Sequence, residues 1–565
     1  MSLKFGAGQG TDTIVSSNTA ADFLQGISIN DIVGANRFYN EGYDGSRAVV
    51  TIAEGGHMWN GHDVLGHVTE FFDGRQSYSN SGINAGQLGD VNRHAVWVGH
   101  TAGGRETVTG REYQKGIAPG AALWSSAIAT TWNGSPYTGS WSWSRGFAFT
   151  DAYALPMLTG ANGRTTDVIN SSWGFSSTTN SQIQGGNWIF SVTLDGIVQQ
   201  SRATSVFAAG NEGPNSNTIR APGNGYNSIV VGALGSDTSN PAYSTISNFS
   251  SRGPQRYVGP DGDFGNVRAR VDITAPGQNM SLAFYGGTTG GNTGGTDSSN
   301  GATDWYTRNA QGTSFAAPVV SGGAGLLVDV AYDRFSNNIA NARDGQVIKA
   351  VLLNSAAKPS GWDNGQTALG GFVSTTQALD YTYGAGMLDL NQAFEQYTSG
   401  TTDLAGNDGG TVQEIGWDFG VIDENASSEY FFDQRLVEGT TFTATLNWFV
   451  GRTWEGTASN GGITSTDDYF TDLSLELWTV DNSQLDSLVA RSDAGFINTE
   501  HFSLELDETD FYALRVFWDG ERYDFVNNSL QTYGLAWSAT AVPEPGLTAL
   551  AFLMLSIGCC QRRRK

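Results

Sequence analysis

The sequence predicts an α/β fold with a mostly parallel sheet flanked by helices, followed by a β-sandwich domain and a short C-terminal apolar segment. Three observations carry this reading. Short apolar runs such as 47–53, 122–128 and 205–209 alternate with helical patterns such as 189–200, and strands that alternate with helices build parallel sheets. Beyond residue 410 the hydrophobic period switches to two, with Phe442, Ala444, Leu446 and Trp448 set between Thr441, Thr443, Thr445 and Asn447, the pattern of half-buried antiparallel strands. The chain also holds 75 Gly, 15% charged and 12% aromatic residues, which describes a tightly turned protein with too much aromatic mass for disorder.

At 565 residues the chain exceeds one ordinary core. We read it as a flexible lead over 1–30, an α/β domain over 31–398, a Ser/Gly/Thr/Asp/Asn-rich linker over 399–410, a β-sandwich over 411–541 and a tail over 542–565. The net charge is −25. Residues 401–541 hold 25 Asp and Glu against 5 Arg and no Lys, so nucleic acid is excluded as a partner and the acidic block reads as a solvated surface. Both cysteines, Cys559 and Cys560, lie in the tail, leaving the body without a disulfide.

Taken in order, residues 32–43 read as a short helix ended by Gly42 and Asp44-Gly45. The run 47–53 reads as a buried strand that delivers Glu54-Gly55-Gly56 at its carboxyl end, where active sites form in such sheets. Next come His57, His62 and His67, half of the 6 histidines, at spacings that share no helix face. Loop and packing roles are the default for them, with a zinc site as the alternative. A helix starts at His94, and strands follow at 122–128, 168–174, 205–209 and 229–234. The strand ending at Gly210 hands over to Asn211-Glu212-Gly213-Pro214, which on its own is a turn. Residues 285–304 form a Gly/Thr/Ser-rich loop, and helices are expected at 315–330 and 345–355. In the C-terminal part, strands are expected around 473–477, 502–506, 512–518 and 533–537.

The organising stretch is Gln311-Gly312-Thr313-Ser314-Phe315-Ala316-Ala317-Pro318, a serine on a glycine turn leading into a small-residue helix. A serine hydroxyl is a poor nucleophile without a base, a group that orients the base and an oxyanion donor. This stretch, with Ala208-Ala209-Gly210-Asn211, Val168 to Gly174, Gly116 to Ala121, Asn248 to Pro254 and Ile273 to Gly277, resembles the subtilases, the subtilisin-like serine peptidases, across residues 30 to 398. His94 falls at the first histidine of the family's histidine motif, where Ala95, Val96 and Trp97 replace the usual Gly, Thr and second His.

The resemblance implies a subtilisin-like fold and a serine endopeptidase. Ser314 would be the nucleophile, His94 the base, and Asn211 with the Ser314 N–H the oxyanion donors. Glu54 stands where the family carries aspartate, and implies a Ser-His-Glu triad, with Asp63 as the competing acid. Ser172, Trp173 and Gly174 would pair with an extended polypeptide substrate, and Ala208, Ala209 and Gly210 would line the first specificity pocket. No cofactor is required for catalysis, and structural calcium is compatible with the family, with no metal ligand assigned. The alternatives are a catalytically silent fold serving in envelope binding or adhesion, and a metal hydrolase using His57, His62 and His67.

The β-rich part, around 472–478 and 510–516, resembles the pre-peptidase C-terminal domain of secreted peptidases. Val542-Pro543-Glu544-Pro545, an apolar run over 547–560 and Arg562 to Lys565 are similar to a PEP-CTERM sorting signal. That implies export, an exosortase-type sorting enzyme as partner, and contact with the membrane through the tail. Met1 to Gly8 lack the apolar core of a secretory signal, and the short stretch before Glu54 leaves no room for a folding prodomain, so an incomplete start is expected.

Overall fold

The computed structural model describes residues 28–73, 76–79, 91–128 apart from 108 and 111, 131–133, 140–142, 146–235 apart from 178, 243–283, 285, 306–400, 409–455 and 464–540, with the short strands Lys4–Phe5 and Ile14–Val15. The expected tail, nearly all of the 285–304 loop, the middle of the linker and most of the lead lie outside these residues.

A nine-stranded sheet organises the first part. Its strands in chain order are β1 (Val49–Glu54), β2 (Glu70–Asp73), β3 (Gln76–Ser79), β4 (Ala122–Ala127), β5 (Val168–Ser171), β6 (Thr204–Ala208), β7 (Ser228–Gly235), β8 (Thr245–Ile246) and β9 (Ile273–Pro276). They lie in the order β8-β7-β6-β5-β1-β4-β2-β3, with β9 also on β7. All neighbours are parallel except β2 with β3 and β7 with β8. β1 is buried along its whole length. Its Val50 and Ile52 join one core and Ala53 joins another, because alternate side chains of a central strand meet helices on opposite faces.

The chain leaves β1 toward β4 on one side and returns to β5 on the other, so the order reverses between β1 and β5. A crevice at the carboxyl ends of the strands opens at such a point. Helices α1 (Arg93–Gly103), α2 (Ile189–Ser201), α3 (Thr313–Arg334), α4 (Gly345–Asn354) and α5 (Leu390–Ser399) pack around the sheet. α3 is apolar and long enough to cross a membrane, yet its most apolar stretch is wholly buried, as a core helix should be. The single helix expected over 32–43 is two, Ile29–Ile32 and Asn36–Asn40. Between them Gly34 takes φ +79 and a Cβ there would lie 2.7 Å from the Asn391 backbone N, so a continuous helix is barred.

The C-terminal strands form two facing sheets. The larger contains β10 (Thr367–Leu369), β11 (Phe372–Thr375), β12 (Gly410–Val412), β14 (Ser427–Phe432), β16 (Gly451–Glu455), β17 (Thr464–Asp481), β18 (Gln484–Ser492) and β20 (Tyr512–Asp524). The smaller holds β13 (Ile415–Asp423), β15 (Thr441–Trp448), β19 (Thr499–Glu505) and β21 (Leu530–Thr540). The hairpin β10–β11 comes from before the expected linker and adds to this sheet, Val373 pairing with Ala490.

β15 departs from half-burial. Phe442, Ala444, Leu446 and Trp448 fill the sandwich core, but Thr443, Thr445 and Asn447 are buried too. Their face meets α4, where Thr445 Oγ1 donates to Asn354 Oδ1 at 3.0 Å.

Candidate active site

Glu54 is the last residue of β1 and is fully buried. Both its oxygens are engaged: Oε1 accepts the Ser172 N–H at 2.8 Å and Oε2 lies 2.9 Å from His94 Nδ1. A carboxylate with this pair of contacts orients an imidazole and stabilises its protonated form. His94 occupies the first turn of α1, where Asn92 caps the helix by accepting the His94 N–H at 2.6 Å. Its ring packs on Trp97 and, at 6.0 Å between centroids, on Phe315, the residue after Ser314. Trp97, which departs from the family's histidine motif, thus forms part of the wall around the imidazole.

Ser314 lies in the first turn of α3 and is buried. Its hydroxyl donates to the Ser172 carbonyl at 3.0 Å, while Ser172 Oγ donates back to the Ser314 carbonyl at 2.9 Å. The second bond follows from Pro318. Four residues on from Ser314, it has no N–H to give that carbonyl, so the helix leaves an acceptor that Ser172 satisfies. Asn170 Nδ2 steadies Ser172 Oγ at 3.0 Å, and Ser321 on α3 donates to Asn170 Oδ1 at 2.9 Å.

Asn211 follows the end of β6. Its Oδ1 accepts the Thr313 N–H at 2.9 Å and the Thr313 hydroxyl at 3.0 Å. Two donors on the oxygen assign the flip of the amide and leave Nδ2 as the donor. That nitrogen lies 3.4 Å from where a Cβ on Gly312 would be, beside the turn that carries the serine. Thr313 escaped the sequence reading as a functional residue. Its signal was its place directly before the serine.

Trp173 Nε1 donates to the Ala53 carbonyl at 3.1 Å, and Trp173–Gly174 pairs antiparallel with Lys4–Phe5 of the chain's own lead. Ala208, Ala209 and Gly210 are buried at the end of β6, and Gly210 donates its N–H to Thr313 Oγ1 at 3.1 Å.

The remaining candidates separate from this group. Asp63 is exposed in the turn Asp63–Leu65. His57 Nδ1 lies 3.2 Å from Ser125 Oγ, and its carbonyl accepts the Asn92 N–H at 3.0 Å. His62 Nδ1 accepts from Val64 N and caps the Asp63–Leu65 turn. Burial and the nearby Arg105 push the His67 imidazole down to about 4. Among the described residues no group of three or more His, Cys, Asp or Glu side chains is placed to hold a metal ion. His57 thus packs edge-on against Phe71 and His62 caps a turn, and calcium has no assigned ligands.

A model described as the subtilase family matches residues 45–386. A subtilisin of Bacillus sp. (strain TA39) is 30% identical over 172 residues, 30% of this chain and 36% of its own length. The serine protease AprX of Bacillus subtilis (strain 168) is 34% identical over 148 residues, 24% of this chain and 29% of its own. The subtilisin-like protease SBT6.1 of Arabidopsis thaliana is 25% identical over 387 residues, 67% of this chain and 29% of its own. The chain thus spans about a third of the length of the curated relatives it matches.

Proposed function

The chain belongs to the subtilase family, and from that membership we propose that it is a serine endopeptidase using a Ser314-His94-Glu54 triad. The observation that carries the reading is the contact between buried Glu54 and His94 Nδ1 at 2.9 Å, on a ring packed against the neighbour of Ser314. Glutamate carries the same head as aspartate on one more methylene, and its second oxygen is held by the Ser172 N–H. In this scheme the Ser314 hydroxyl exchanges the Ser172 carbonyl for the imidazole, attacks the peptide carbonyl and gives its proton to His94. The Asn211 amide and the Ser314 N–H stabilise the oxyanion, and His94⁺ protonates the leaving amine before water releases the acyl group. An extended polypeptide would lie along Ser172 to Gly174, displacing Lys4–Phe5, with its first side chain toward Ala208 to Gly210.

The tail supports a second part of the proposal, made on sequence alone: export to the cell envelope, recognition by an exosortase-type enzyme and membrane contact through 542–565. The β-sandwich is proposed as a pre-peptidase C-terminal-like domain.

Labelling with a fluorophosphonate serine probe tests the chemistry. Labelling of the wild type that Ser314→Ala abolishes and Glu54→Ala weakens is the expected result. A folded wild-type chain that takes no label would instead favour the silent, envelope-binding reading.

A further inference from the structure

We infer that Arg220 sets the size of the side chain that the first specificity pocket accepts, restricting it to small, uncharged residues. The inference rests on the peptidase reading and on the two wall segments named there. Residues 220 and 221 run between those segments: the Arg220 N–H donates to the Ala209 carbonyl at 3.0 Å, and Ala221 exchanges both backbone bonds with Phe175, at 2.7 and 3.0 Å. The Arg220 side chain lies against both walls. A Cβ on Gly174 would be 2.7 Å from Arg220 Cβ and 3.3 Å from its Cδ, and one on Gly210 would be 3.0 Å from its Cγ. The residue is only 5% exposed.

Its head is fixed as firmly as its stem. Arg220 Nε donates to Glu212 Oε2 at 2.7 Å and Nη2 donates to Oε1, a two-pronged pair. Glu212 Oε2 also accepts the Asn211 N–H at 3.0 Å, so swinging the arginine aside would break the fork and release a contact to the proposed oxyanion residue. A long or aromatic side chain therefore meets a filled space. The guanidinium and the Glu212 carboxylate already match each other, so the pair offers neither an acidic nor a basic side chain a free opposite charge to offset its desolvation. Glycine, alanine and serine remain.

The test is binding of acetylated tetrapeptides ending in alanine or phenylalanine to the full chain carrying Ser314→Ala, measured by calorimetry. Alanine should bind about tenfold tighter or more, the scale at which a pocket rejects excess volume. Arg220→Gly should shift the ratio toward phenylalanine by a similar factor, and Arg220→Met, which keeps the volume without the charge, should leave alanine preferred. The Lys4–Phe5 strand competes equally with both peptides and cancels in the ratio. Phenylalanine binding as tightly as alanine to the Ser314→Ala chain overturns the inference without any second variant, as does a ratio that a folded Arg220→Gly chain leaves unmoved, or the failure of both peptides to bind. Probe labelling of the Ser314-containing chain is read separately: its loss with the peptide discrimination intact sinks the peptidase proposal alone.

Discussion

At the residue scale the decisive interactions are single hydrogen bonds to buried groups, and their removal should show in distinct ways. Glu54→Gln keeps the shape and the acceptor for one contact but sets an amide beside His94 Nδ1, favouring the wrong tautomer and withdrawing the charge that stabilises the imidazolium. A fall in kcat of about 10⁴ is expected, with little change in KM. Asn211→Ala should lower kcat by about 10²–10³, the cost of one oxyanion donor. A stopped assay with a generic peptide ester, run at one pH, compares the two falls in kcat. Ser172→Ala differs in kind. It strips the Ser172 hydroxyl that stands in for the N–H missing at Pro318, removing a hydrogen bond to a buried carbonyl at a cost of about 1–3 kcal/mol in stability. A chemical denaturation curve that does not move would refute that account.

Elements place those residues, and here titration gives a sharper test. Just past the end of α4, Lys358 donates to the carbonyls of Ala385 at 2.6 Å and Ala356 at 3.3 Å, and stands 5.0 Å from the centre of the Trp362 ring. Burial lowers its ammonium to about 7 from an ordinary 10.5. The unfolded chain then holds more protons than the folded one between pH 7 and 10.5, so stability rises with pH through that window and is lost as pH falls through 7. Lys358→Met should flatten the rise, by about 5 kcal/mol between its ends. Equal slopes for mutant and wild type in urea titrations would show that the ammonium is solvated. How much of the elements was legible follows from the physics of each. β1 could be read because a strand buried on both faces is nearly all apolar or β-branched, and the serine turn because its chemistry is written in eight adjacent residues. β15 was read correctly on its apolar face and not on the other, since alternation reports polarity and cannot say whether Thr445 meets water or Asn354. The Arg220–Glu212 pair and the hairpin β10–β11 were not legible at all, because each acquires its role only from a partner that the fold brings alongside.

For the whole molecule, the seam between the α/β part and the sandwich decides whether the chain unfolds once or twice. Fully buried Arg452 on β16 reaches across it to Asp195 of α2 at 2.8 Å and to Asp467 of its own sheet at 2.8 Å. Asp195 also accepts the backbone N–H groups of Tyr226 and Asn227, and the Asn227 amide exchanges two hydrogen bonds with Val450, at 2.9 and 3.0 Å. Gln346 at the start of α4 donates to the Thr532 carbonyl at 2.8 Å, and Gly534 on β21 lies so close to it that a Cβ would come within 2.4 Å of its backbone. α4 is buried from end to end, and the hairpin β10–β11 belongs to one part by sequence and to the other by sheet. Domains that only touch melt separately. Here, losing the sandwich would strand a buried carboxylate, a buried helix face and a hairpin without its sheet, so neither part keeps its stability alone and calorimetry should record one transition for the full chain. Arg452→Ala should lower that single transition by removing about 3–5 kcal/mol, the cost of leaving Asp195 charged and unpaired in the interior. Two resolved transitions in the wild type, or an Arg452→Ala chain that melts with it, would mean that the two parts are held by the linker and a wet contact instead.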